Sequence, residues 1–201
     1  PARQRGPGGW RGRIIRAPPS AAPGQQRMSD SIRNVFKGRV LTLNVEQVRL
    51  PNGHVAELEI AHHPGGAAVV AIDAAGRVCL LRQFRHAAGG WLDELPAGKL
   101  DGGEPPLECA QRELAEEAGM VARRWDKLGQ FFSSPGVFTE VIHLFLARDL
   151  QPVPAQPEDH EVFEARWIPL TDACALASSG QLHDAKSLVG LFWARERLRP
   201  G

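Results

Sequence analysis

Tyrosine is absent from this chain of 201 residues, and only 6% of it is aromatic, so any stacking surface must come from eight Phe and five Trp. Cysteine is scarce: Cys79, Cys109 and Cys174 form an odd set with no CxxC pair. That excludes a disulfide framework and leaves too few thiols at ligand spacing for zinc. The three read as small buried hydrophobes in a reducing compartment, which points to the cytoplasm. No apolar run approaches the roughly 18 residues of a membrane span, so no membrane partner is expected. Acid is missing from residues 1–27, which carry Arg3, Arg5, Arg11, Arg13, Arg16 and Arg27. The rest of the chain holds all 23 Asp and Glu against 18 Lys and Arg, so an acidic body hides beneath a total charge of +1. An acidic body argues against a nucleic-acid partner, whatever the sum suggests.

Residues 1–27 are rich in Pro, Gly, Ala and Arg. Such a segment buries too little to offset its ordering entropy and reads as a disordered leader ahead of a chain able to begin at Met28. It has no apolar core of a secretory signal. Its Pro and Gly would break the amphipathic helix of a transit peptide. The domain is expected over 28–201.

From Val40 the pattern is that of strands. Leu41, Leu43 and Val45 alternate with Thr42, Asn44 and Glu46, which predicts a half-buried strand. Asn52-Gly53 predicts a hairpin turn. The wholly apolar Ala67–Ile72 predicts a strand covered on both faces, and Ala74-Ala75-Gly76 a turn into Val78–Phe84. Further strands are expected at Trp91–Leu95, Trp125–Phe132, Val141–Ala147 and Val162–Ile168. Pro105 and Pro106 suit a first helical turn. Leu107, Ala110, Leu114 and Ala118 then recur at helical spacing up to a stop at Gly119. Helices follow near 171–178 and 184–198, the second with Leu188, Leu191, Phe192 and Leu198 on its buried face. This order predicts an α/β (α+β) domain with helices packed on a mixed sheet.

Charge is concentrated in Gly98–Met120, GKLDGGEPPLECAQRELAEEAGM. At 100° per residue Glu113, Glu116 and Glu117 fall within an arc of about 100° beside the apolar face. Like charges at this spacing repel. A solvated acidic face is the plain reading of such a cluster. A divalent cation would relieve the repulsion, and hard oxygen donors suit Mg²⁺ or Mn²⁺.

The full spacing decides between these readings. Gly98, five residues, Glu104, seven residues, Arg112-Glu113-Leu114, one residue, Glu116-Glu117, one residue and Gly119-Met120 resemble the Nudix box, GX5EX7REUXEEXGU, at every fixed position. The resemblance implies an α/β/α sandwich around a mixed sheet, with the box as loop–helix–loop. It also implies metal-dependent hydrolysis of a nucleoside diphosphate linked to another group. Glu113, Glu116 and Glu117 would hold metal, with the Ala97 carbonyl and Glu104 as further ligands and Arg112 orienting the carboxylates. Metals neutralise phosphate and acidify water, and phosphoryl transfer needs chiefly positioning and charge stabilisation.

The flanks are similar to the ADP-ribose pyrophosphatase subgroup over about residues 38–197. They read Leu81-Arg82-Gln83-Phe84-Arg85, Glu94-Leu95-Pro96-Ala97-Gly98, Ser134-Pro135-Gly136, Glu140, Leu144–Ala147 and GQLHDAKSLVGL at 180–191. By this resemblance Arg85 grips phosphate or the terminal ribose with a planar guanidinium. Arg82 either shares that work or is a surface strand residue. Glu94 reaches a ribose hydroxyl, Ser134, Pro135 and Gly136 shape the pocket through their backbone, and Glu140 belongs to the same wall. The subgroup carries a further acid on a loop entering a late strand. Glu161 takes that position here as metal contact or base, with Asp159 and Glu158 as alternatives, while His160 reads as an exposed loop histidine. Phe36, Trp91 and Phe138 are conceivable adenine platforms, although aromatics in strands are more commonly core. The strands at 39–61 resemble those that build a homodimer in the subgroup.

The resulting expectation is a Mg²⁺-dependent hydrolase, with Mn²⁺ as a substitute, converting ADP-ribose to AMP and ribose 5-phosphate. The alternatives are a diphosphatase for another substrate (GDP-mannose, UDP-glucose, NADH) and a catalytically silent Nudix sensor. Retention of every box carboxylate argues against the silent form.

Overall fold

The strand β4 (Gly66–Ala71) is buried along its whole length and organises the body. In the computed structural model, which describes residues 29–155 and 162–199, its side chains alternate between two layers. Ala67, Val69 and Ala71 meet Cys109, Ala110 and Leu114 of helix α1 (Pro106–Ala118). Val70 shares a second cluster with Leu191 and Ala194 of helix α3 (Ala185–Leu198) and Ala173, Cys174 and Ala177 of α2 (Leu170–Ser178). One strand thus serves as the shared wall of two cores.

Around it runs a mixed four-stranded sheet in the order β7-β4-β9-β8, with β7 at Ala97–Lys99, β8 at Met120–Phe132 and β9 at Val141–Pro152. β4 and β9 are parallel, and the other pairs in this sheet are antiparallel. A second sheet, antiparallel, has the order β10-β5-β6, with β5 at Arg77–Arg85, β6 at Gly90–Glu94 and β10 at Phe163–Pro169. Helices on both faces make the α/β/α arrangement expected from the sequence. No helix among the described residues is long and apolar enough to cross a membrane. All three cysteines are buried free thiols.

The turns form where their residues direct. Asp73 Oδ1 accepts from the Ala75 and Arg77 amides to close the turn at Gly76. At the hairpin Asn52 Oδ1 accepts from His54, and Gly53 takes φ 82°, a conformation open to glycine at no steric cost. α1 ends at Gly119, also left-handed at φ 60°.

Four expectations need correction. A strand, β1 (Ser29–Lys37), precedes Val40; it pairs with β2 (Thr42–Arg49), which in turn pairs with β3 (Val55–His62). β1 is held by backbone pairing, not burial, so it leaves no alternation to read. In β2 the buried residue is Glu46, covered by His62 at 2.5 Å, and not the apolar set. Along α3 the expected Leu188, Leu191, Phe192 and Leu198 do pack on the core, but the closest approach adds Ser187, Gly190 and Ala194, where a Cβ at Gly190 would lie 2.6 Å from Leu95 Cδ1. In α1, Leu107 is exposed while Glu113 and Glu117 are buried, so the carboxylates share the inward face.

Candidate active site

The box folds as loop–helix: β7 opens it, a loop carries Glu104, and α1 presents the remaining acids. Glu113 is 6% and Glu117 2% exposed. Glu117 Oε2 accepts from the Ala97 amide at 2.8 Å, which ties the helix to the start of the box. Gly98 has to be glycine: a Cβ there would sit 1.6 Å from Glu113 Oε1. The space a side chain would fill holds a carboxylate. Burial, and next the negative charge of Glu117, push the neighbouring Cys79 thiol up to about 12.

Arg112 gathers the acids, as the sequence suggested. Its guanidinium donates to Glu104 Oε1 and Oε2 at 3.1 Å each, to Glu113 Oε1 at 2.6 Å, to Glu116 Oε2 at 3.1 Å and to the Lys99 carbonyl at 3.3 Å. These hydrogen bonds hold the Glu104 carboxyl below its ordinary value, against the lesser opposing effect of burial. With one cation among three acids, no three of them converge into a preformed metal cluster among the described residues. The donor set is nonetheless all oxygen and in excess of its counter-charge, which fits a hard divalent cation and not zinc or copper.

Beside the box lies a cavity of about 410 Å³ lined by Ala97, Gly98 and Lys99 on one side, Arg85, Asp184 and Lys186 on another, and His63, Phe131, Ser133 and Glu140 elsewhere. Arg85 and Glu140 therefore reach the predicted pocket. Glu94 does not open onto it. Its carboxylate, 2% exposed, lies behind Arg85, accepting from Arg85 Nε and Nη2 at 2.9 Å each and from Lys186 Nζ at 2.6 Å. Burial alone would raise the Glu94 pKa; the Arg85 hydrogen bonds and the Lys186 charge outweigh it and keep the group below the ordinary glutamate value. His63 Nδ1 accepts from the Gly65 amide at 3.0 Å and lies 3.4 Å from Glu140 Oε1. Burial lowers its pKa; Glu140 opposes that and Lys99 adds to it.

Other predicted residues fall elsewhere. Arg82 points away from the cavity and sits 6.0 Å from the centroid of Trp91. Trp91 and Phe36 are exposed, not core, while Phe138 packs against His63 with ring centroids 5.2 Å apart. The Ser134-Pro135-Gly136 segment is an exposed turn in which the Ser134 carbonyl accepts from Val137 and Phe138; its neighbour Ser133 lines the cavity. The loop acids Glu158, Asp159 and Glu161, with His160, lie outside the described residues, as does the leader 1–27. Sequence reasoning missed Lys99, Lys186 and Asp184. The last two lie in the segment 180–191 whose resemblance to the subgroup was noted, and the D-x-x-S spacing of Asp184 and Ser187 is a helix-cap pattern.

The model of the NUDIX domain matches residues 62–189. The chain belongs to the Nudix family. This Nudix chain is 40% identical over 159 residues to an ADP-ribose pyrophosphatase of Bacillus subtilis strain 168, covering 78% of the chain and 86% of that protein. It is 34% identical over 165 residues to an ADP-ribose pyrophosphatase of Mycobacterium tuberculosis, covering 81% and 80%. Among solved structures, one described as an ADP compounds hydrolase superposes with a TM-score of 0.73 at 23% identity, covering 85% of this Nudix chain and 93% of the other. That likeness shows the fold. Nudix hydrolases are in general dependent on divalent metal.

Proposed function

We propose that the chain hydrolyses the diphosphate of ADP-ribose, with Mg²⁺, to AMP and ribose 5-phosphate. The observation that carries this reading is a cavity with the basic groups Arg85 and Lys186 on one wall and Ala97 and Gly98 on another, the two residues against which Glu117 and Glu113 of the acidic helix pack. Two relatives named for this activity share the chain over most of its length.

In this reading Glu113, Glu116 and Glu117, with Glu104 and the Ala97 carbonyl, hold the cation. The chemistry a divalent ion supplies when bound is neutralisation of the diphosphate and acidification of water. Arg85 binds the anionic substrate, and the buried Glu94 aims Arg85. Arg112 keeps the acids grouped until the cation is held. Glu140 contacts the sugar from the opposite wall, and the turn at Ser134, Pro135 and Gly136 sets the course of that wall. Arg82 serves the outer surface. Glu161 takes the proton from the attacking water, with Asp159 and Glu158 as the other candidates. Two copies pair through the β1–β3 sheet, whose exposed Ile32, Val35, Phe36 and Val55 suit burial against a second copy. Reduced buried thiols suit a cytoplasmic setting.

The test is turnover of ADP-ribose by the purified chain beside GDP-mannose, UDP-glucose and NADH, in ¹⁸O-water. ADP-ribose should be cleaved best, with label in one product; equal or better turnover of another substrate overturns the substrate assignment. Comparing Glu161→Gln, Asp159→Asn and Glu158→Gln identifies the loop acid. A monomer by light scattering would remove the dimer.

A further inference from the structure

Behind the basic wall a closed ring of polar contacts joins the start of α3 to the end of β6. Asp184 caps α3: its Oδ2 accepts from the Ser187 amide at 3.0 Å and also from the Ser187 hydroxyl. The Ser187 hydroxyl accepts from the Leu95 amide at 2.7 Å. Asp184 Oδ1 accepts from Lys186 Nζ at 3.0 Å, and the same ammonium reaches Glu94. Glu94 and Leu95 are adjacent in sequence, so the chain itself closes the ring. One branch leaves it, from Glu94 to Arg85.

A helix cap needs only the first of these contacts. The remainder fixes both the side chain of Glu94 and the main chain of Leu95. Two residues later the Ala97 amide meets Glu117, and the Pro96 carbonyl accepts from Val69 at 2.9 Å. The strand end held by the ring is thus the same segment that enters the box. Ser187 is fully buried and cannot touch a substrate. We infer that Ser187 and Asp184 are positioning residues: through the ring they set the direction of Arg85 in the cavity and the placement of Ala97 against Glu117. This rests on the diphosphatase reading above.

The test compares Ser187→Ala, Ser187→Thr and Asp184→Asn in the full chain, using whichever nucleoside diphosphate sugar the wild type cleaves fastest. Asparagine caps a helix about as well as aspartate, so Asp184→Asn separates capping from the charge that holds Lys186. Ser187→Ala and Asp184→Asn should each raise KM about tenfold or more. Ser187→Thr, which keeps the hydroxyl, should stay within about threefold of wild type. Hydrogen exchange at the Leu95 amide should quicken in Ser187→Ala and not in Ser187→Thr. Wild-type KM in both Ser187→Ala and Asp184→Asn, or activity lost only in step with Tm and unrescued by threonine, overturns the positioning role. Unchanged Leu95 exchange in Ser187→Ala overturns the ring itself. A wild type that cleaves no sugar nucleotide overturns the functional reading, while the exchange result still stands for the ring.

Discussion

Two charge clusters flank the start of the box and differ in stoichiometry. In the box, Arg112 pairs with Glu104, Glu113 and Glu116 together. At the end of β6, Glu94 pairs with Arg85 and Lys186, and Asp184 shares Lys186, so two acids meet two bases. Each is internally hydrogen-bonded, yet the first keeps acid in excess and the second is balanced. A cluster built only for stability would balance its charges, since a buried surplus costs desolvation energy. The surplus acid suits a cation, while the balanced cluster holds Arg85 and Lys186 at the cavity, where an anion can meet them. That is the division of labour expected of a site that brings a metal and a diphosphate together.

The comparison can be broken at its acidic side first. Glu113→Gln and Glu117→Gln should each lower kcat by more than about a hundredfold, with the fold retained by circular dichroism; near-normal turnover in either would mean that the acidic surplus has another purpose. On the basic side, Arg85→Ala should raise KM for ADP-ribose by roughly 10- to 100-fold, the value of a charge-assisted contact. A change in kcat alone would move Arg85 from binding to chemistry.

Arg112→Gln removes the counter-charge that Glu104, Glu113 and Glu116 share. Without metal the three acids should repel, lowering stability by roughly 1–2 kcal/mol once solvent screening of this partly exposed group is allowed for. Excess Mg²⁺ should restore much of that loss, whereas EDTA should barely affect the wild-type Tm. The smallest effect is expected in acid. Glu94 has a native pKa below its unfolded value, so its contribution is present at neutral pH and is lost as pH falls below the ordinary glutamate value and through the lower native one. Denaturant titrations of wild type and Glu94→Gln should diverge at neutral pH and converge in that acid window. Parallel curves would show that Arg85 and Lys186 do not hold Glu94 charged.

The box was legible because its chemistry fixes identities at fixed intervals, and Gly98 shows why: no other residue leaves room for Glu113. β4 was legible because six buried residues in a row leave no solvent face. β1 was not, since its hydrogen bonds involve backbone groups that every residue carries. Glu46 also misled, because alternation assumes that a buried carboxylate is excluded, and His62 supplies the partner that admits it. Lys186 escaped notice because a lysine in the first turn of a helix looks like solvent-facing charge. Its role depends on a strand far away in sequence, and one-dimensional spacing carries no record of that distance.

The parallel ladder between β4 and β9 has a consequence for the order of assembly. Residues 66–71 pair with 142–147, and both β7 and α1 are made in between. On a ribosome, the catalytic helix would emerge with its apolar stripe facing a sheet whose second central strand has not yet been synthesised. Loop closure over such a span is slow compared with local helix formation. The helix can settle on β4 as soon as both are made, but the sheet beneath it is complete only when Phe145 and Ala147 of β9 arrive.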